Sequence, residues 1–218
     1  MIIVGIDMSK NSPGVCINDN GKISFISFIR FDENKTGKRN SKSRKNTEDH
    51  FELLRKNDVT IISNPRSTNL KEYTDLEVWK ISDASLLAKT IVSNLPDHVD
   101  LVGLEGFSYG SKGNSGLDIA GYAYCVRKEL FEKYGSSKLA IFSPANVKKT
   151  AGKGNAGKDD MLNFFLANKD INLNATKFWK NIVEKKIAIE KPVDDLIDSW
   201  YIQECTHQYF KSKMIDTI

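Results

Sequence analysis

Ile2-Ile3-Val4-Gly5-Ile6-Asp7 is a short, mostly β-branched run that ends on a carboxylate. Such a run reads as a buried strand, and Asp7 stands at its end. The turn-rich Ser9-Lys10-Asn11-Ser12-Pro13-Gly14 follows, then a second apolar run, Val15-Cys16-Ile17. Asn18-Asp19-Asn20-Gly21 is a strong turn signal, and Ile23 to Ile29 reads as a third strand. The chain therefore opens on a three-stranded antiparallel meander whose first strand terminates in an acid.

Beyond the meander, residues 33–49 change character. Lys35, Lys38, Arg39, Lys42, Arg44 and Lys45 crowd into a polar stretch with almost no apolar residue. It has no face to bury and is expected to be a loop, either a solvated linker or an arm that contacts phosphates. Val59-Thr60-Ile61-Ile62 and Leu76-Glu77-Val78-Trp79 read as short strands, and Ala84 to Leu95 as a helix capped by Ser82 or Asp83. Leu101-Val102-Gly103-Leu104 is the next buried strand, with Glu105 at its end. The loop after it, 106–114, is rich in glycine and small polar residues and carries Phe107, Tyr109 and Lys112.

A helix is expected from about Ser115 to Tyr134. Its small residues Gly116, Ala120, Gly121 and Ala123 permit close helix approach, inside the domain or across a dimer. Leu139-Ala140-Ile141-Phe142 reads as a strand, and Ser143-Pro144-Ala145-Asn146 opens a helical turn bearing Lys148 and Lys149. Gly152-Lys153-Gly154-Asn155-Ala156-Gly157-Lys158 looks superficially like a phosphate-binding P-loop. Its glycine spacing is wrong, and Asp159 stands where the hydroxyl belongs. Residues 169–190 form a mixed connector with Phe178 and Trp179 buried, before a last helix from near Asp194 to about Tyr209.

That last helix opens on Pro192-Val193-Asp194-Asp195-Leu196-Ile197-Asp198-Ser199-Trp200-Tyr201. Asp195 and Asp198, three apart, project from one helical face, and Asp194 and Asp198, four apart, could do the same. By itself this is also how a capped, solvated first turn looks. Asp7 and Glu105 at strand ends change the reading, because ends of neighbouring strands lie along one edge of a sheet. Asp195 and Asp198 brought to that edge would complete a cluster of four carboxylates. Four such charges do not stay ionised together without cations, since like charges raise one another's pKa. Two Mg²⁺ ions, with oxygen ligands and substrate phosphate, would satisfy them.

The totals set bounds on this. The chain has 218 residues, 40% of them hydrophobic, enough for one domain with a core. Its formal net charge of +4 is compatible with a polyanionic partner. Cys16, Cys125 and Cys205 are far apart, form no metal spacing and fit reduced thiols in a cytosol, with Cys16 and Cys125 expected in the core. No run approaches the ~18 apolar residues of a membrane span. Asp7 ends the first apolar run too soon for a signal sequence. A cytoplasmic protein with no membrane partner is expected.

Together these residues resemble the RuvC family of Holliday junction resolvases, within the RNase H-like fold. The resemblance runs through Ile3-Val4-Gly5-Ile6-Asp7 with Gly14-Val15, Gly103-Leu104-Glu105 with its glycine-rich loop, Phe142 to Thr150, Gly154-Asn155-Ala156-Gly157-Lys158, and Asp195-Leu196-Ile197-Asp198-Ser199. It implies an α/β fold in which an antiparallel three-stranded meander and parallel strands form one mixed sheet flanked by helices, a single domain over 1–218 with a basic insertion at about 33–49. It further implies that Asp7, Glu105, Asp195 and Asp198 hold two Mg²⁺ (with Mn²⁺ able to substitute), that Lys158 faces the scissile phosphate, and that Lys148 contacts DNA. The products would be a 5′-phosphate and a 3′-hydroxyl. Either Asp194 or Asp195 could partner Asp198; the family's spacing and the suitability of Asp194 as a cap favour Asp195.

The expected activity is metal-dependent endonucleolytic resolution of four-way DNA junctions by a C2 homodimer, with the helix at 115–134 as its interface. Lys112, Lys148, Lys149, Lys153 and the arm carrying Lys38, Arg39, Lys42, Arg44 and Lys45 would contact backbone phosphates. Phe107 or Tyr109 would stack on junction bases or simply pack in their loop. The long arm would suit a phage-encoded branch of the family, acting in the host cytoplasm. Three rivals compete: a nuclease of the same fold cutting flaps, branches or hybrids; an actin-like kinase or ATPase, for which one half-domain is too short; and a DNA-binding relative without catalysis.

Overall fold

β1 (Ile2–Asp7), β2 (Gly14–Asp19) and β3 (Lys22–Ile29) form the antiparallel meander, and β4 (Val59–Ser63) extends it in parallel beyond β3. On the other side of β1 run β5 (Leu101–Glu105) and β6 (Leu139–Phe142), both parallel to it. The six strands make one mixed sheet in the order β4-β3-β2-β1-β5-β6, the expected antiparallel meander joined to parallel strands. The computed structural model describes residues 1–30, 41–66, 68–107 and 114–215.

Strand alternation sorts the core into two layers. Val4 and Ile6, Val15 and Ile17, Val102 and Leu104 point to one face and pack against α2 (Tyr73–Ser93) and α3 (Asn114–Tyr134). Ile3, Cys16, Phe25, Leu101 and Phe142 point to the other, beneath α8 (Val193–Ile215) and the shorter helices α1 (Ser41–Lys56), α4 (Pro144–Lys149), α5 (Lys158–Ala167) and α7 (Lys177–Val183). The four-residue α6 (Ile171–Asn174) sits between α5 and α7 in the chain. By the same alternation Gly5, Asp7, Gly103 and Glu105 face α8.

That face carries a track of glycines. A Cβ on Gly5 would overlap the backbone of Ser199 and Gln203; one on Gly14 would lie 2.5 Å from the Asp195 carbonyl oxygen; one on Gly103 would overlap the Thr206 side chain. Positions 195, 199, 203 and 206 follow one stripe of a helix. The stripe therefore crosses β2 and β1 with backbone nearly touching backbone, and at β5 it seats the Thr206 side chain on Gly103. α8 is buried on several sides, with Leu196, Trp200, Tyr201 and Ile202 in the core.

Three local expectations are corrected. Leu76-Glu77-Val78-Trp79 is helical, inside α2, which begins at Tyr73. A four-residue apolar run fits a period of 2 or 3.6 equally, and only packing of the whole helix decides. Asp83 is not a cap. It lies mid-helix and buried, paired with the fully buried Arg30 guanidinium and accepting the Tyr122 hydroxyl. Residues 41–49, expected as loop, belong to α1, which buries Phe51 and Leu54 nearer its C-terminal end. Of the expected connector at 169–190, Phe178 is buried and Trp179 half-buried, its indole donating to the Phe165 carbonyl at 3.1 Å. Cys16 is buried and Cys125 only partly so. No described helix is long and apolar enough to cross a membrane.

Candidate metal centre

β1 and β5 run in parallel register, Ile6 beside Leu104, so Asp7 and Glu105 end neighbouring strands on the face where α8 lies. Gly14 pairs with Asp7 across β2 and touches Asp195. The close seat of α8 thus brings its first turns over the ends of β1 and β5. Burial pushes the Asp7 carboxyl well above the ordinary range, and repulsion from Asp198, Asp195 and Glu105 adds to it. Glu105 is raised by burial and by Asp198, against a lowering pull from Lys148. Asp198 is pushed up to about 6, chiefly by burial, with Lys158 opposing and Asp195 and Asp194 adding. Among the described residues no donor reaches the side chains of Asp7, Glu105 or Asp198.

Asp195 differs. It is nearly fully buried, yet both its oxygens are engaged: Oδ1 accepts the Lys191 ammonium, and Oδ2 accepts the hydroxyls of Ser12 and, at 3.2 Å, Ser9. Burial still raises its pKa, while Lys191 and Ser12 hold it down. Asp194 is not the cap it was expected to be. The helix begins at Val193, so Asp194 stands one residue inside it, where its Oδ1 accepts the Asp195 N–H at 3.0 Å. Its Oδ2 lies 3.3 Å from Lys191 Nζ and 3.8 Å from Lys158 Nζ.

These carboxylates fit a hard divalent cation by chemistry: all are oxygen donors, and the charges of Asp7, Glu105 and Asp198 repel one another and are only partly offset by Lys148, Lys158 and Lys191. The fit is one of type rather than closed geometry, since no three His, Cys, Asp or Glu side chains among the described residues stand gathered as a ligand set.

The charge distribution has a testable pH consequence. A carboxyl whose folded-state pKa exceeds its unfolded value keeps its proton longer in the folded state. Folding stability from Asp198 therefore falls as pH rises from its ordinary value of 3.8 through about 6. A cation on the ionised cluster reverses this. Saturating Mg²⁺ is expected to raise the melting temperature more at about pH 7.5 than at about pH 5. Calorimetry at the two pH values, with and without Mg²⁺, checks it; equal gains would contradict it.

Around the cluster, Lys158 opens α5, its side chain 81% exposed and within electrostatic reach of Asp198. Lys148 and Lys149 end α4, where Lys148 pulls on Glu105. Lys153 is paired with Asp160 at 3.0 Å. Phe107 is half-buried under the Arg127 guanidinium, 4.5 Å from its ring centroid, and beside the Tyr124 ring at 5.4 Å. Arg127 also donates to the Glu105 carbonyl at 3.0 Å. Tyr109, Lys112, Lys38 and Arg39 lie outside the described residues, as do the side chains of Lys42, Arg44 and Lys45.

Sequence reasoning missed Lys191, Ser9, Ser12 and Arg127. Lys191 had a signal, since it precedes Asp194 by three and Asp195 by four. The serines and Arg127 had none, because only folding brings them near the acids.

No protein-family model and no curated protein matches the chain. Among solved structures, the chain is similar to Thermus thermophilus RuvC at 12% identity and a TM-score of 0.45. It is also similar to T. thermophilus RuvC in complex with Holliday junction substrate, at 14% identity and a TM-score of 0.48, each likeness covering 98% of this chain and 96% of the other.

Proposed function

We propose that this chain is a Mg²⁺-dependent endonuclease that cuts branched DNA, with the four-way junction as its preferred substrate. The observation that carries the reading is that Asp7 and Glu105 at neighbouring strand ends and Asp198 on α8, each half-buried, repel one another and have no hydrogen-bond donor among the described residues. A divalent ion bound there, Mg²⁺ or Mn²⁺ in its place, would supply Lewis-acid activation of a water and of the scissile phosphate. The chain's own part is to hold the ion and orient the phosphate. Asp7 and Glu105 are fixed at strand ends, and Asp198 is fixed by the docking of α8. Lys158, exposed and ion-paired only loosely, is free to turn to a phosphate oxygen and balance charge as the phosphorus is attacked. Lys148 and Lys149 flank the same rim and suit backbone phosphates.

The preference for a junction rests on the sequence resemblance and on a surface suited to two-fold pairing. Leu117, Tyr124 and Phe131 recur every seven residues on α3 and are 74%, 62% and 56% exposed. Such a stripe is an interaction face, and a C2 dimer through it would present two sites to a symmetric junction. Leu117→Arg with Phe131→Arg is expected to leave a folded monomer by light scattering. On a junction it should give independent single nicks in place of paired ones.

The decisive assay offers a synthetic four-way junction, a flap and a linear duplex, each with Mg²⁺ or EDTA. Cleavage of the junction with Mg²⁺ alone is expected. Equal cutting of all three would point instead to a less selective nuclease of the same fold. No cutting of any would defeat the proposal.

A further inference from the structure

We propose that Arg127 is a positioning residue, which fixes the last residue of β5 and the Phe107 ring from the α3 side. This rests on the nuclease reading above and adds to it a residue that acts through the backbone of Glu105. Arginines on nuclease surfaces ordinarily meet phosphates. Arg127 is instead half-buried and turned inward, onto one backbone carbonyl and two aromatic rings.

The end of β5 needs a fastening. Its pairing with β1 closes at Ile6 and Leu104, since β1 stops at Asp7 and turns away. On the other side, the Gly106 N–H donates to the Phe142 carbonyl at 2.7 Å. The peptide between Glu105 and Gly106 is trans, so the Glu105 carbonyl points the opposite way, to the side β1 has left. A backbone acceptor there needs a donor from elsewhere. Arg127 supplies it, its Nη2 donating to the Glu105 carbonyl at 3.0 Å. By strand alternation the Glu105 carboxylate faces α8. Arg127 thus grips Glu105 from the opposite layer and leaves the carboxylate to the acidic side.

The guanidinium is itself firmly seated. It lies 4.5 Å from the Phe107 ring centroid and 5.2 Å from that of Tyr124, and the two rings are 5.4 Å apart. Tyr124 and Arg127, three apart on α3, share one helical face. The Arg127 Nε is buried with no hydrogen-bond partner among the described residues, and the faces of two rings are what offset its lost hydration. Phe107 stands two residues beyond Glu105. Arg127 therefore holds both ends of the short run 105–107, and the Phe142 carbonyl holds Gly106 between them. The direction of the Glu105 carboxylate follows from the backbone beneath it. Loosening that backbone displaces the carboxylate without removing it, which slows the reaction and spares DNA binding.

The test uses the full chain as wild type, Arg127→Lys and Arg127→Met, with circular dichroism as the check on folding. Hydrogen exchange reads the backbone amides of residues 104–107; single-turnover cleavage and junction binding in EDTA read the function. Arg127→Met keeps an apolar stem and removes the donor and the charge. Its amides at 104–107 are expected to exchange at least about tenfold faster, the order of one lost charge-assisted hydrogen bond, while those of β3 stay unchanged. Its cleavage rate at saturation should fall by at least about tenfold, with the junction Kd held within about twofold. Arg127→Lys keeps a charged donor without the planar face and should lie between Arg127→Met and wild type. Unchanged exchange at 104–107 in a folded Arg127→Met would overturn the proposal whatever the chain cuts. Faster exchange with an unchanged rate would overturn it and leave the nuclease reading standing. A weakened Kd with an unchanged rate would do the same and make Arg127 a DNA contact. No cutting by wild type would overturn both readings together. If Arg127→Met does not fold, Arg127→Lys against wild type decides by the same measurements.

Discussion

Asp7→Asn is expected to lower the rate of junction cleavage at saturating Mg²⁺ by at least about a thousandfold, while raising the melting temperature of the metal-free protein. The two effects have one origin. Burial, then Asp198, Asp195 and Glu105, hold the Asp7 carboxyl far above its ordinary pKa, so at neutral pH its charge is a cost to the folded state. An amide of the same shape removes that charge, and its N–H groups give the neighbouring carboxylates a donor. Stability should therefore rise, most clearly at about pH 7.5, where wild type carries the most repulsion. The variant loses the charge a cation needs, and Mg²⁺ should no longer raise its melting temperature as it does for wild type. Single-turnover cleavage and calorimetry on the same preparations separate the outcomes. Lost activity with lowered stability would mean that Asp7 is chiefly structural. Retained activity would remove it from the metal set.

Gly5→Ala should destabilise the fold by at least about 3 kcal/mol, the upper range of overpacking effects, although it adds one methyl group. The added Cβ would overlap the backbone nitrogen of Gln203 and the carbonyl oxygen of Ser199 and would lie 2.6 Å from the Gln203 Cα. None of these atoms is the tip of a flexible side chain. Gly5 sits in β1, between β2 and β5, so the strand cannot retreat. α8 must lift, and Asp198 lifts with it. Urea denaturation should show the loss of stability, and Mg²⁺ should protect the variant less than wild type. Gly14→Ala offers the same logic closer to the chemistry, since its Cβ would meet the Asp195 carbonyl group at 2.5 and 2.8 Å. A cost for Gly5→Ala near the ordinary glycine-to-alanine difference in a strand would show that α8 is not seated as described.

The meander and the parallel strands were legible because each is a short apolar run bounded by strong turn signals. Asp7 and Glu105 were legible as strand-terminal acids, and Asp195 and Asp198 as a helical pair. The sequence could not show how the acids divide. Ser9 and Ser12 look like ordinary turn residues until the turn folds back over α8. Asp194 and Asp195 are adjacent and chemically alike, and only the start of the helix at Val193 sends one to the rim and the other inward. The early start of α2 escaped notice for a different reason. Tyr73, Val78, Ile81 and Leu86 are exposed, so the apolar pattern there does not report a buried face.

The glycine track also governs when the site can come into being during synthesis. β1, β2 and β5 can pair once residue 105 has left the ribosome, but Gly5, Gly14 and Gly103 stay uncovered by α8 until it arrives. Asp7 and Glu105 therefore wait, without Asp195 or Asp198, until residues 193–206 have left the ribosome. A stalled or clipped chain lacking those residues would expose the sheet, a target for chaperones and proteases, yet could not hold the full set of acids. On the proposed reading, translation itself acts as the safety catch, and no unfinished copy of this chain can cut DNA.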